Sequence, residues 1–290
     1  MNQDPITELV PGTLYAISGS VPANRPTTWL LPGQAGVMPV SCYVLRNGNA
    51  ALIIDTGLAV HREQIHSALE TVLAGTSQRA LLMTRREPDS IINLPFLVKN
   101  CNITTVYCAG ILDPLDFFER FDKGNIDGCI NAMIRMGVTW IPIGSPLSVG
   151  QLQVVPLRTL MAVLPKSHVY ETKTRTLFGS DSWSFLPQSA PWPLEQVRNP
   201  DLLDRDKITP YLAYKFDWML GIDTSPIIKD LRQLLDLDIE RICSSYGSVI
   251  EGADTVRYIL NETLAAVRIL ASRPMPDRLR GFNERKFKHA

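Results

Sequence analysis

The stretch Leu81–Ser90, LLMTRREPDS, places Arg85, Arg86, Glu87 and Asp89 directly behind the apolar run Ala80–Met83. Carboxylates spaced two apart can hold a metal, move protons or pair with a cation, whereas a guanidinium remains charged at any physiological pH. A cluster of this kind at the C-terminal end of a buried strand is where α/β proteins place chemistry, because the strand aims the first loop residues into a crevice. A solvated strand-to-helix loop has the same composition, so the elements around the stretch have to decide between the two.

Those elements come from an ordinary globular composition: 290 residues, 45% hydrophobic, 20% charged, with no low-complexity tract. Lys+Arg and Asp+Glu are equal at 29 each, which gives no general electrostatic reason to expect nucleic acid or an anionic membrane as a partner. The start, MNQDPITELVPG, lacks the basic and apolar regions of a signal peptide, and no apolar run reaches membrane-spanning length, so the expectation is a cytoplasmic protein. Cys42, Cys101, Cys108, Cys129 and Cys243 have no CxxC spacing and read as small reduced core residues. His61 and His66 lie five apart on a helical pattern and read as exposed rather than as ligands.

GTLYAISG, SCYVLRNG and AALIIDTG are short, β-branched or aromatic, and end in turn signals, which predicts strands and hairpins. LAVHREQIHSALETVLAG has apolar residues at helical spacing and closes at Gly75. ALLMT and ITTVYCAG read as buried strands, with a helix in SIINLPFLVKN that starts or breaks near Pro95. DPLDFFERFDKGNIDGCINAMIRMG reads as mostly helical. VTWIPIG, PLSVGQLQVVPLRT and MAVLP return to strands, and HVYETKTRTLFGSD forms a hairpin. Helices are expected at about Asp204–Leu220, Ser225–Leu235 and Ala253–Ser272, with the strand IERICSSYG between the last two. Strands then helices, twice over, suit two β-plus-α halves packed sheet to sheet with helices outside. There is no GxGxxG or GxxxxGK[ST] phosphate loop and no GxSxG nucleophile elbow.

CYVLRNGNAALIIDTGL, LLMTRREPDS, LPKSHVYETKTRTLFGSDSWSF and LDIERICSSYGSVIEG, in that order, resemble the metallo-β-lactamase fold and, within it, the flavodiiron and oxygen-binding di-iron branch. The resemblance covers most of the chain and implies an α/β, four-layered αβ/βα sandwich over residues 1–290, with a basic C-terminal tail at 273–290. It also implies what each position should hold. Arg85 stands where the first metal-binding His belongs, Glu87 and Asp89 match the two carboxylates, and Ser90 falls where many relatives have another His. The third His position falls at Val163, or at Ala162 if the hairpin has no one-residue deletion. Asp181 matches the bridging carboxylate, and Tyr246 replaces the last His. His168 reads as a strand residue. No flavodoxin-like domain is expected in the chain, and with it no internal flavin.

A dinuclear site of this class depends on neutral imidazoles beside carboxylates. Arg85 would repel a divalent ion, while carboxylates converging without a cation would resist burial. Arg85 is therefore expected to serve as the cation, paired with Glu87, Asp89 or Asp181. The functional expectation is a metal-free protein with no cofactor that binds a small molecule or protein partner in the former crevice, formed by Arg85, Glu87, Asp89, Ser90, Val163, Asp181 and Tyr246. Its alternative is an active hydrolase or oxidoreductase using Arg85, Glu87, Asp89 and Asp181, with or without a carboxylate-bound metal. A homodimer is among the expected assemblies. The basic tail reads as a solvated or oligomer-contacting terminus.

Overall fold

The computed structural model describes residues 4–23, 34–109 and 138–274. The first half opens with an antiparallel meander of β1 (Ile6–Val10), β2 (Leu14–Pro22), β3 (Val37–Asn47) and β4 (Ala50–Ile54). Helix α1 (Arg62–Val72) crosses over to β5 (Gln78–Met83), which pairs parallel to β4. The short helices α2 (Pro88–Ile91) and α3 (Leu94–Asn100) lead to β6 (Thr105–Ala109), and β7 (Thr139–Ile141) closes a seven-stranded sheet in the order β1 to β7.

The second half repeats this plan. β8 (Leu147–Val149), β9 (Leu152–Arg158), β10 (Ser167–Glu171) and β11 (Thr176–Ser180) form another antiparallel meander. After β12 (Gln196–Val197), helices α4 (Arg205–Lys215) and α5 (Ser225–Leu235) cross over to β13 (Arg241–Ser244), which pairs parallel to β11. β14 (Val249–Glu251) and α6 (Ala253–Ser272) complete it, and the second sheet runs β12-β14-β13-β11-β10-β9-β8.

Both sheets are apolar on both faces, so their central strands read as unbroken hydrophobic runs. In β4, Leu52 and Ile54 join Leu82, Val154, Phe178 and Cys243 between the sheets, while Ala51 and Ile53 pack outward with Ile65 and Leu69 of α1. In β11, Phe178 faces that inner core and Leu177 faces Tyr211, Leu231 and Ile259 of the outer helices. The alternation follows from the two-residue period of a strand and yields helix, sheet, sheet, helix. This is the expected αβ/βα sandwich.

Several local expectations change. MAVLP is irregular chain: Val163 and Leu164 are exposed, and the strand begins only at Ser167. Pro165 supplies no backbone donor for a ladder there. The helix expected to run to Leu220 ends at Lys215, where Phe216 leaves helical geometry, and a 3-10 turn at Asp217–Met219 follows. His61 and His66 are half-buried rather than exposed. The His61 ring lies over Gly19, where a Cβ would come within 2.1 Å of Nδ1, and His66 meets Phe96 edge-on. Cys42, Cys101 and Cys243 are buried free thiols; burial pushes Cys42 up to about 12 and Cys101 up to about 11. Cys129, the helical reading of the segment around it and the tail beyond Pro274 lie outside the described residues. Among the described residues no helix is long and apolar enough to cross a membrane.

Candidate functional site

The parallel pairs β4/β5 and β11/β13 end at one place. β4 delivers Asp55, β5 delivers Thr84 and Arg85, β11 delivers Ser180 and Asp181, and β13 delivers Ser245 and Tyr246. Two of the corners use left-handed backbone at non-glycine residues, Asp55 at φ 60° and Ser180 at φ 53°. Each costs on the order of 1 kcal/mol or more, a cost that persists only where surrounding contacts fix the conformation. The contacts at Asp55 are explicit: its carboxylate accepts the Thr84 N–H at 2.8 Å and the Thr84 hydroxyl at 2.7 Å.

Arg85 occupies the centre with a fully buried side chain. It stays beside β10 because Arg85 and Lys166 form an antiparallel bridge and the Ser167 N–H donates to the Thr84 carbonyl at 2.9 Å. Its Nη1 donates to Ser180 Oγ at 2.9 Å and to Ser245 Oγ at 2.8 Å, and its Nη2 pairs with Asp89. Nε lies 3.3 Å from Glu87, and Nη1 lies 3.8 Å from Asp55. The guanidinium also sits 5.7 Å from the centre of the Tyr246 ring. Pro88 in the first turn of α2 turns the chain so that Asp89 comes back at i+4 beneath Arg85.

Asp181 is served separately. Lys166 Nζ donates to its Oδ1 at 2.5 Å and to Ser182 Oγ at 2.9 Å, and Lys215 Nζ lies 2.8 Å from its Oδ2. Both ammonium groups lie over the Phe216 ring, at 5.2 and 5.7 Å. Tyr211 donates to the Asp181 carbonyl at 2.8 Å. His168 is in β10, as its strand assignment requires, with Nε2 2.9 Å from Ser182 Oγ.

The electrostatics follow from burial and these partners. Burial raises Asp55 and Asp89 above the usual carboxylate range, although Arg85 opposes it in both. Burial also works against charge on Asp181, but Lys166, Arg85 and Lys215 together hold its carboxyl well below the usual range. Burial brings Lys166 down to about 8 against the pull of Asp181. It brings His168 down to about 3, with Lys166 adding to the effect, so that imidazole is neutral. Tyr246 is raised, by burial first and then by Asp89.

The residues singled out from the sequence divide accordingly. Arg85, Asp89, Asp181 and Tyr246 converge and are buried, Ser90 is buried in α2, and Glu87 is a quarter exposed. Val163 is 61% exposed and does not join the buried cluster. Lys166 of the same loop fills the interior instead. Sequence reasoning missed Lys166, Lys215, Asp55, Ser180 and Ser245. A basic residue directly before the hairpin was a signal for Lys166, whereas Lys215 in AYKFDW carried none.

Among the described residues no group of three His, Cys, Asp or Glu side chains is placed to hold a metal. The donor chemistry agrees: Arg85 pairs with Asp89 Oδ2, Lys166 and Lys215 take both oxygens of Asp181, and although Asp89 Oδ1 has no hydrogen-bond partner, the adjacent Arg85 guanidinium repels a metal ion. The residues present do not fit a dinuclear metal centre.

No family model matches the sequence, and no curated protein is similar to it. Solved structures are similar in fold. Rubredoxin oxygen:oxidoreductase of Desulfovibrio gigas superposes with a TM-score of 0.65 at 16% identity, covering 91% of this chain and 61% of that one. The flavodiiron protein of Giardia intestinalis gives 0.61 at 16% identity over 91% and 59%. A metallo-β-lactamase from Pontibacter korlensis gives 0.55 at 13% identity over 91% and 98%. The chain thus spans about three fifths of the length of the first two.

Proposed function

We propose that this chain, which has the metallo-β-lactamase fold in the arrangement seen in flavodiiron proteins, is a metal-independent, non-catalytic protein that binds a small molecule or protein partner around its former metal crevice. The observation that carries this reading is the Arg85 guanidinium, held by Asp89, Ser180 and Ser245 at the strand ends, with Lys166 and Lys215 closing on Asp181. The cations and carboxylates pair with one another, and Arg85, Asp89 and Asp181 are buried, which removes them from direct contact with a reactant in solvent. The loops after β4 and before β10 also present Val60, Val163 and Leu164 to solvent.

An enzyme that uses Arg85, Glu87, Asp89 and Asp181 is the second reading. It is favoured by one observation, Lys166 at about 8, a value at which a lysine can exchange protons near neutral pH.

Elemental analysis of the protein as purified, with thermal melts before and after chelator, tests the first reading. The expected outcome is substoichiometric iron and zinc and an unchanged melting temperature, because no metal-linked stabilisation exists to remove. About one or two metals per chain, with a lower melting temperature after chelation, overturn it.

A further inference from the structure

A second site lies away from the polar centre. Helix α5 has the segment SPIIKDLRQLL, whose Ile227, Asp230, Leu231 and Leu234 are buried. Helical spacing therefore puts Ser225, Ile228, Lys229, Arg232 and, just past the helix end, Asp236 on the other side. Arg268 of α6 faces them across a groove of about 390 Å³. Three cations and one carboxylate thus line a single groove in a chain whose net charge is zero.

Three other surface arginines are paired. Arg158 pairs with Asp230, Arg175 with Asp238 and Glu240, and Arg205 with Glu262. Arg232 and Arg268 make no side-chain hydrogen bond or ion pair among the described residues. Three cations against the single carboxylate of Asp236 leave the groove with excess positive charge, and a bound anion relieves that repulsion. Two guanidinium forks and an ammonium match phosphate oxygens in geometry and charge. The groove has the volume of a small-molecule site, on the order of 300–1,000 Å³, which favours a compact anion over a polymer. Gln233 and Asp236 add groups that can bond hydroxyls on the same ligand. The chain's own tail does not suit the groove, since Arg278, Arg280, Arg285, Lys286 and Lys288 give it the same sign.

We infer that the α5/α6 groove binds a hydroxyl-bearing organic diphosphate of the size of a nucleoside diphosphate, through Lys229, Arg232 and Arg268. This goes beyond the reading of the polar centre and does not depend on it.

Calorimetry with ADP at near-physiological salt, followed by competition with inorganic pyrophosphate, tests the proposal on the full chain. Support is saturable ADP binding that pyrophosphate displaces and that R232A/R268A weakens by about tenfold or more. R232K/R268K, which keeps the charge and loses the fork, is expected to fall between the two. Arg198→Ala, an exposed arginine outside the groove, is the control and should leave affinity unchanged. Because Arg232 and Arg268 are exposed, the variants should melt with the native protein, and the melt confirms it. The proposal is overturned if ADP shows no saturable binding, if native and R232A/R268A bind it alike, or if Arg198→Ala loses as much as the groove variant. It is equally overturned if single-stranded DNA or phosphatidylserine vesicles bind while ADP does not.

Discussion

In the first half of the molecule one guanidinium faces the carboxylates of Asp55, Glu87 and Asp89, and in the second half one carboxylate faces the ammonium groups of Lys166 and Lys215. Arg85 follows β5 and Asp181 follows β11, strands of different sheets, and the two clusters carry reversed signs. They also differ in how they can shed charge. Arg85 cannot deprotonate, so the first cluster can relax only by protonating Asp55 or Asp89, both already raised by burial. Asp181 is held ionised, so the second cluster relaxes by losing a proton from Lys166. Buried charge at these strand ends can therefore be neutralised from either side of the titration scale.

This difference gives the intact protein opposed pH dependences. Asp55 and Asp89 are raised, so each contributes stability at low pH that is lost as pH rises through its folded value. Asp181 is depressed, and its contribution is present above the ordinary carboxylate value and lost as pH falls through the folded one. Lys166 at about 8 binds fewer protons folded than unfolded between that value and 10.5, so its contribution grows as pH rises through that window.

The sharpest tests remove the centre of each cluster. Asp181→Asn leaves two buried ammonium groups without their carboxylate and should cost about 3–5 kcal/mol near neutral pH. The deficit should shrink as pH is raised from about 7 to about 9.5, because Lys166 can then become neutral. Arg85→Met leaves Asp89 and Asp55 uncompensated and should cost a similar 3–5 kcal/mol or somewhat less. Its deficit should shrink in the opposite direction, from about pH 7 to about pH 5, as the carboxyls protonate. Denaturant melts across this range read both; if the two variants recover on the same side of neutrality, the contrast between the clusters is wrong.

Smaller effects define its edges. Glu87 is a quarter exposed and meets Nε at 3.3 Å, so Glu87→Gln should cost only about 0–1 kcal/mol. A loss as large as that of Arg85→Met would make Glu87 a full member of the buried network. Val163→His should move stability by no more than about 0.5 kcal/mol and should add no zinc affinity to an R85H/Y246H background in calorimetry. Its side chain points to solvent, whereas Lys166 holds the interior position. A clear gain in zinc affinity from Val163→His would show that this loop can turn inward.

The sequence by itself determined the layers of this protein. The unbroken apolar runs in ALLMT, AALIID and TLFG fix strands buried on both faces, and the three long C-terminal helical patterns fix what covers the second sheet. It also placed Arg85, Glu87 and Asp89 at one strand end, because consecutive residues cannot separate in space. What it did not determine was the partner of each charge. Asp89 is four residues from Arg85 on the first turn of a helix, and that pairing is local. Asp181 meets Lys166 and Lys215 from two other elements, 15 and 34 residues away in sequence. No spacing rule encodes such a contact, since it depends on which strand end lies beside which helix once both sheets have packed. The same holds for the loop before β10, where only the register of Ser167 against Thr84 turned Lys166 inward and Val163 outward.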